Sequence, residues 1–280
     1  MSVHIYRDLT PAIRREMQEL YKECTKKDPL TLSPLSVDED GEPIVACTFH
    51  REGRLEAFLI ASDYIEEGYW EVSAFTRPEC RKQGLFRLLF DTLLFELEES
   101  EPEQFFFYCD GKSPDTLGFI DHLSCERLDS EQILVLDDSQ AKQLPYGQVT
   151  ASLCKNAHIL GQVHASAFGW SPEESQVYME DCLSDPDCHG YLLNFGLHMI
   201  GCFLLDTSDP TACLAAFCLD PVFQKKGLSK PALTAVWKSL PKHCNKLSVH
   251  VAESNEAAYH LYRSSGFQIA AKLDSYELDI

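Results

Sequence analysis

Apolar residues recur along this chain in two rhythms, every second residue and every third or fourth, and the same order of rhythms runs through it twice. From Pro11 to Lys26 the apolar side chains fall on one helical face. Pro43-Ile-Val-Ala-Cys-Thr-Phe-His50 and Leu55-Glu-Ala-Phe-Leu-Ile-Ala61 read as two strands turned at Arg51-Glu-Gly-Arg54. A third strand, Tyr69–Thr76, runs into a short basic stretch, and an apolar helix follows from Leu85 to Leu97. A strand at Gln104–Cys109, a helix from Pro114 and a strand at Gln132–Leu136 complete the first half. The second half predicts helices near 153–168 and 172–183, then strands near 190–195 and 198–205 turning at Gly196. Next come a strand at Ala212–Leu219, a helix from Leu228 to Leu240, a strand at Lys246–Val251, a helix over 255–265 and a last antiparallel pair. Pro145 and Gly147 interrupt any regular element between Gln140 and Gly147, so two domains are expected, 1–140 and 148–280. About 140 residues each is an ordinary domain size and enough to bury a core.

The basic stretches are one device written twice, 143 residues apart: Pro78-Glu-Cys-Arg-Lys-Gln-Gly-Leu-Phe86 and Pro221-Val-Phe-Gln-Lys-Lys-Gly-Leu-Ser229. Each links a strand to a helix. The first turn of a helix has N–H groups without intrahelical partners, and the helix dipole adds partial positive charge there. A phosphate docks readily at such a place. Gly84 and Gly227 can adopt backbone angles closed to other residues and put no side chain between backbone and ligand. Arg81 and Lys82, and in the second copy Lys225, Lys226 and Lys230, add positive charge. Residues 143–280 carry only nine lysines and arginines, and three of them fall between 225 and 230. One such loop alone would be a common surface feature; repetition with matching flanks points to a duplicated functional module.

Arg81-Lys-Gln-Gly84-Leu-Phe86 and Gln224-Lys-Lys-Gly227-Leu-Ser229 resemble the acetyl-CoA pyrophosphate loop of the GNAT superfamily of N-acetyltransferases, Arg/Gln-x-x-Gly-x-Gly/Ala. The second half also carries Asn255-Glu-Ala-Ala-Tyr-His-Leu-Tyr262-Arg-Ser-Ser-Gly266-Phe267, which is similar to the family's helix ending in Leu-Tyr-x-x-x-Gly-Phe. The resemblance is specific over 150–280 and looser over 1–140. It implies an α/β fold, more closely α+β with a mixed sheet: two tandem GNAT-like domains, each a mostly antiparallel central sheet flanked by helices. The arrangement is similar to that of mycothiol synthase.

The resemblance also implies roles. Acetyl-CoA would be the cofactor, held in the second half by the strand end Cys218 and Leu219, by the loop Gln224, Lys225, Lys226, Gly227, Leu228, Ser229 and Lys230, and by Asn255. In the first half the matching positions are Phe75, Thr76, Arg81, Lys82, Gln83, Gly84, Leu85, Phe86 and Arg87. Tyr262 would protonate the departing CoA thiolate, and a neutral amine would attack the thioester carbonyl directly. Aligning the last helices pairs Asn255 with Ser113, Tyr262 with Ile120 and Gly266 with Ser124. A phenol can donate a proton and Ile120 cannot, so the second half is expected to be catalytic and the first degenerate. Phe86 departs further from the pattern, which prefers a small residue there.

No carboxylate or histidine lies on the strand 212–219, so a general base must come from elsewhere or be water. His250, with an imidazole suited to the task, is the candidate. His164, Phe168, Trp170 and Tyr178 fall on helices that in the family flank the acceptor groove; they form either an amine pocket or simply core. Cys218 has no neighbour that would make it a thiolate nucleophile.

Net charge is −20, of which residues 1–142 carry −15 and residues 143–280 carry −5. Such a surface repels nucleic acid and anionic membranes and attracts cations, so the expected partner is a small, cationic amine acceptor. Acidic runs at Asp38–Asp40 and Glu96–Glu103 read as exposed. No stretch reaches the ~18–20 apolar residues of a membrane helix, and the start lacks a signal-peptide apolar region. A cytoplasmic monomer or homodimer is expected. The twelve cysteines include no Cys-x-x-Cys pair and many sit in apolar patterns, which favours buried reduced thiols over metal or disulfide use, and no metal site is expected. The alternatives to a transferase are a non-catalytic acyl-CoA sensor and an interaction scaffold with an acidic docking face.

Overall fold

The computed structural model describes residues 1–28, 44–63, 68–110, 113–120, 122–123 and 125–279. Asp38–Asp40, Pro43 and Ser124 lie outside the described residues. The chain divides into two compact units, Met1–Ser130 with Ala271–Ile280, and Glu131–Ala270. The division runs through two strands and not through the connection at Gln140–Gly147.

In the first unit the order is β1 (Ser2–Tyr6), α1 (Pro11–Lys27), β2 (Ile44–Arg51), β3 (Arg54–Asp63), β4 (Tyr69–Thr76), α2 (Leu85–Leu97), β5 (Gln104–Asp110) and α3 (Pro114–Ile120). Thr10 caps α1 by accepting from the Ile13 N–H at 3.4 Å, with Pro11 at the first helical position, where its missing N–H costs nothing. The sheet runs β1-β2-β3-β4-β5 and is completed by the C-terminal part of the chain's last strand. Among the described residues of this unit, only β4 and β5 pair in parallel. Leu85, Leu89, Phe90, Leu93 and Leu97 of α2 bury against Trp70, Val72, Phe105 and Phe107 on one face. Ile13, Met17, Leu20 and Cys24 of α1 bury against Ala46, Phe58 and Ile60 on the other.

The second unit follows from β6 (Glu126–Asp137) through α4 (Asp138–Ala141), β7 (Val149–Leu153), α5 (Ala157–Phe168), α6 (Pro172–Ser184), β8 (Cys188–Phe195), β9 (His198–Asp206), β10 (Thr211–Leu219), α7 (Ser229–Lys238), β11 (Lys246–Ala252) and α8 (Glu256–Ser264) to β12 (Gln268–Asp279). Its sheet runs β6-β11-β10-β9-β8-β7, with β10 and β11 as the parallel pair. Helices α7 and α8 cover one face and α5 and α6 the other. Ser171 and Glu174 close a capping box at the start of α6.

Several elements differ from the sequence expectation. The edge strands β1 and β7 are absent from it: both alternate apolar and polar residues, but over only five residues, a run too short to stand out as a strand. The strand expected at 132–136 is twelve residues long and starts at Glu126. The last antiparallel pair is instead the single strand β12. Nothing between Gln268 and Asp279 supplies the Gly, Pro or Asn that a turn would need. From Leu273 onward β12 pairs with β5, so the chain's C-terminal strand finishes the first unit's sheet.

Candidate cofactor and transfer site

Both basic loops take the same backbone path. Lys82 and Lys225 stand at φ 61° and 57°, and Gly84 and Gly227 at 77° and 75°. A Cβ added at either glycine would meet nothing within 4 Å, so each loop leaves open space beside its backbone, as an anion cradle requires. The residue that opens the motif is used structurally in both. Gln224 Nε2 donates to the Leu219 carbonyl at 2.9 Å, and Arg81 Nε donates to the Thr76 carbonyl at 3.3 Å, tying each loop to the end of its strand. Asp220 caps the second loop through the Val222 N–H at 2.9 Å.

The loops differ in free charge. Arg81 is held by Asp28 at 2.6 Å and by Asp115 at 2.9 Å, so its cation is already matched. Lys82 and Arg87 remain exposed, and Arg87 lies 3.8 Å from Asp91. Gln83 spans from the Glu79 carbonyl to Arg51. In the second loop Lys226 sits 5.5 Å over the Phe223 ring, and Lys230 Nζ donates to the Ser264 carbonyl at 2.8 Å, leaving Lys225 as an exposed cation beside Gly227. Leu228 is the N-cap residue of α7 and Ser229 its first residue.

Beyond each loop the two parallel strands part. Their pairing ends at Val72 with Phe107 in the first unit and at Leu214 with Val249 in the second. In the first unit this opening is a cavity of about 820 Å³, lined among others by Glu71, Ala74, Phe86, Phe107, Phe119 and Ile120. Phe86 points into it and packs at 4.5 Å on Phe119 and 5.5 Å on Phe90. Leu85 is buried beneath the helix, Phe75 packs on Phe58 at 5.3 Å under α1, and the Thr76 carbonyl also accepts from Cys24 at 3.5 Å. Glu71 is a half-buried carboxyl whose pKa burial raises.

In the second unit Phe217 and Tyr262 stand where the strands part. Tyr262 is 7% exposed, its ring 6.4 Å from Phe217 and 5.1 Å from Phe267. Burial first, then the nearby Cys213 and Cys218, raise its pKa, so the phenol keeps its proton and can act only as a donor. Asn255 caps α8 by accepting from the Ala258 N–H at 3.1 Å, which leaves its amide N–H groups as what it can offer a ligand. Cys218 is buried on the α5–α6 side, 3.5 Å from Cys202 Sγ, and Leu219 on the α7–α8 side. Gly201 is required here: a Cβ would lie 2.1 Å from the Cys218 carbonyl.

His250 and Tyr262 are not brought together. Leu247, Val249 and Val251 share a core with Tyr262, so His250, between them, projects from the opposite face of β11. There it lies about half exposed, with Nδ1 3.4 Å from Glu131, whose pKa is lowered chiefly by that hydrogen bond. His164 is buried at the centre of its own aromatic group, 4.4 Å from Phe168, 5.1 Å from Trp170 and 5.4 Å from Tyr178, with Nδ1 3.0 Å from Ser175 Oγ. Burial lowers its pKa, and the group packs α5 on α6.

All twelve cysteines are free, and burial pushes the thiols of Cys47, Cys109 and Cys188 up to about 12. Among the described residues no cluster of three or more His, Cys, Asp or Glu is placed to hold a metal ion, and no helix is long and apolar enough to cross a membrane. Sequence reasoning missed Glu71, Ala74 and Phe217. The available signal was spacing. The strands repeat at 142 residues (Tyr69 to Thr211, Gln104 to Lys246) but the loops at 143, and the extra residue is a bulge between Ala215 and Cys218, with Ala216 at φ 50°.

The model of the acetyltransferase (GNAT) family matches residues 157–267. No curated protein matches the sequence. Among solved structures, a GCN5-related N-acetyltransferase from Sphaerobacter thermophilus is similar with a TM-score of 0.72 at 15% identity, covering 99% of this chain and 95% of that one. A tandem GNAT protein from the clavulanic acid biosynthesis pathway is similar with a TM-score of 0.73 at 11% identity, over 99% and 98%. An acetyltransferase of the GNAT family from Colwellia psychrerythraea matches with a TM-score of 0.57 at 14% identity, over the whole of both chains. Residues 157–267 therefore form a GNAT acetyltransferase domain, and the fold of the whole chain is that of tandem GNAT proteins.

Proposed function

We propose that this protein is an acetyl-CoA-dependent N-acetyltransferase that acts on a primary amine of a small, cationic acceptor, with transfer in the second unit. The observation that carries the reading is Tyr262: a protonated phenol, buried beside β10 where the strands part, directly beyond a loop whose Gly227 leaves an open cradle. Acetyl-CoA, when bound, supplies the thioester carbonyl that the amine attacks. Lys225, Gly227 and the first N–H groups of α7 would hold its pyrophosphate, and the parted strand end at Cys218 and Leu219 would offer backbone N–H and carbonyl groups. Tyr262 would return a proton to the leaving sulfur. His250, oriented by Glu131, would accept the proton of the incoming ammonium from the α5–α6 side of the sheet. The acidic surface supports a cationic acceptor through long-range attraction.

A second reading places transfer in the first unit, favoured by one observation: Glu71, with its raised pKa, lines the open cavity there and is a proton acceptor the second strand lacks. Calorimetric titration of the protein with acetyl-CoA, repeated on Gly84→Asp and Gly227→Asp, tests both. Neither added Cβ meets a neighbouring atom, but at φ 77° and 75° any side chain strains the loop backbone, so Gly84→Ala and Gly227→Ala, which carry that strain without the charge, are titrated beside them. Under the main reading Gly227→Asp abolishes acetyl transfer and the second-unit binding, and Gly84→Asp spares transfer. Loss of transfer with Gly84→Asp alone would move the reaction to the first unit, and no binding by the unmodified protein would overturn both readings.

A further inference from the structure

Once the bulge is counted, the two strands that border the openings superpose residue for residue. Trp70 and Val72 face the α2 core in the first unit, and Ala74 follows on the same face by alternation. In the second unit Ala212 and Leu214 face the α7–α8 core, and past the bulge the next residues on that face are Phe217 and Leu219. Ala74 and Phe217 therefore occupy one place in the two units, the point at which the parallel strands separate. Ala74 borders the 820 Å³ cavity. The Phe217 ring lies half-buried in the equivalent opening, against Tyr262.

We propose that this position sets the size of the acyl group each unit accepts: Phe217 restricts the second opening to acetyl, and Ala74 leaves the first able to take a thioester with a longer, apolar acyl chain. The inference rests on the acyl-CoA reading above. It is supported by the chemistry around the two positions. The first opening offers Phe86, Phe107, Phe119 and Ile120, whereas its loop has spent the charge of Arg81 on Asp28 and Asp115. A ligand there gains more from apolar burial and less from charge than one in the second unit. In the second unit the ring of Phe217 takes the room of several methylenes beside the phenol that would donate the proton. Each methylene that finds apolar cover tightens binding by about fourfold at most.

The test uses the full chain and two probes, acetyl-CoA and octanoyl-CoA, with affinities read by calorimetry. The Gly227→Asp protein reports the first opening and the Gly84→Asp protein the second. Octanoyl-CoA should bind the first at least about tenfold more tightly than acetyl-CoA, and the second at least about tenfold more weakly. Ala74→Phe should erase the first preference. Phe217→Ala should reverse the second, and Phe217→Leu, which keeps more of the core, should fall between them. If the ratio of the two affinities is the same in both openings, or does not move with either exchange, the inference is wrong while the acyl-CoA reading stands. If neither thioester binds either opening, the acyl-CoA reading fails and takes the inference with it.

Discussion

The two units use one backbone to opposite effect at the point where their parallel strands part. The first has Glu71, Ala74 and Ile120 around an open, largely apolar cavity, and the second has Cys213, Phe217 and Tyr262 at the same places, with two aromatic rings 6.4 Å apart where the first has Ala74 and Ile120. The unit that departs from the recognisable helix signature is the one that opens a cavity of about 820 Å³, and the unit that carries it places bulkier rings at the same positions. Motif retention and available space are separate properties. The loop and its glycine leave the same open backbone in both units, whereas three strand and helix side chains set what lies beside it.

The sharpest way to break this comparison is Tyr262→Phe. With an amine acceptor found by screening and CoA release as the readout, kcat should fall by about a hundredfold or more, with acetyl-CoA affinity kept. An unchanged kcat would remove Tyr262 from the reaction. Ile120→Ala at the matching place should leave turnover alone but cost about 2–4 kcal/mol in denaturant unfolding of the first unit, because Ile120 is a buried core residue there.

Arg77 offers a second contrast. It is 5% exposed, gives two hydrogen bonds to the Leu55 carbonyl at 3.1 and 3.0 Å, and pairs with Glu23, whereas Asp220 at the same place only caps its loop. Arg77→Met should destabilise the first unit by about 1–3 kcal/mol through the carbonyl it leaves unsatisfied. Hydrogen exchange should show the loss in β3 and β4 and not in β10.

The smallest effect concerns Glu71. Its folded pKa is raised above the ordinary value of 4.5 by burial, so ionisation disfavours the fold. Below pH 4.5 the carboxyl is protonated folded and unfolded, and no penalty exists. As pH rises toward the folded pKa the unfolded chain ionises first, and the penalty grows to its full size above that pKa. Glu71→Gln should therefore match the unmodified protein in thermal stability at low pH and exceed it at neutral pH; a constant difference across pH would contradict the burial of this carboxyl.

Much of the local architecture was legible in the sequence. Period and loop chemistry gave α1, the β2–β3 hairpin, both basic loops and the helices that follow them, because these elements are fixed by near neighbours: alternation, a capping residue, a glycine at positive φ. The second-half signature Asn255–Phe267 named the family for the same reason. Less legible was the surface left by packing. That Arg81 is neutralised by Asp28 and Asp115, and that Phe86 turns inward onto Phe119, depend on partners far along the chain.

By itself the sequence determined the duplication, the two basic glycine loops that lead into helices and the asymmetry between Tyr262 and Ile120, since each is written in residue type and short-range spacing. Only the tertiary structure decided that His250 and Tyr262 lie on opposite faces of a strand, that Ala271–Ile280 belongs to the first unit, and that a one-residue bulge puts Phe217 where Ala74 stands. Strand pairing joins residues more than a hundred positions apart, and one added residue exchanges the faces of everything after it; neither has a local signature for a sequence to show.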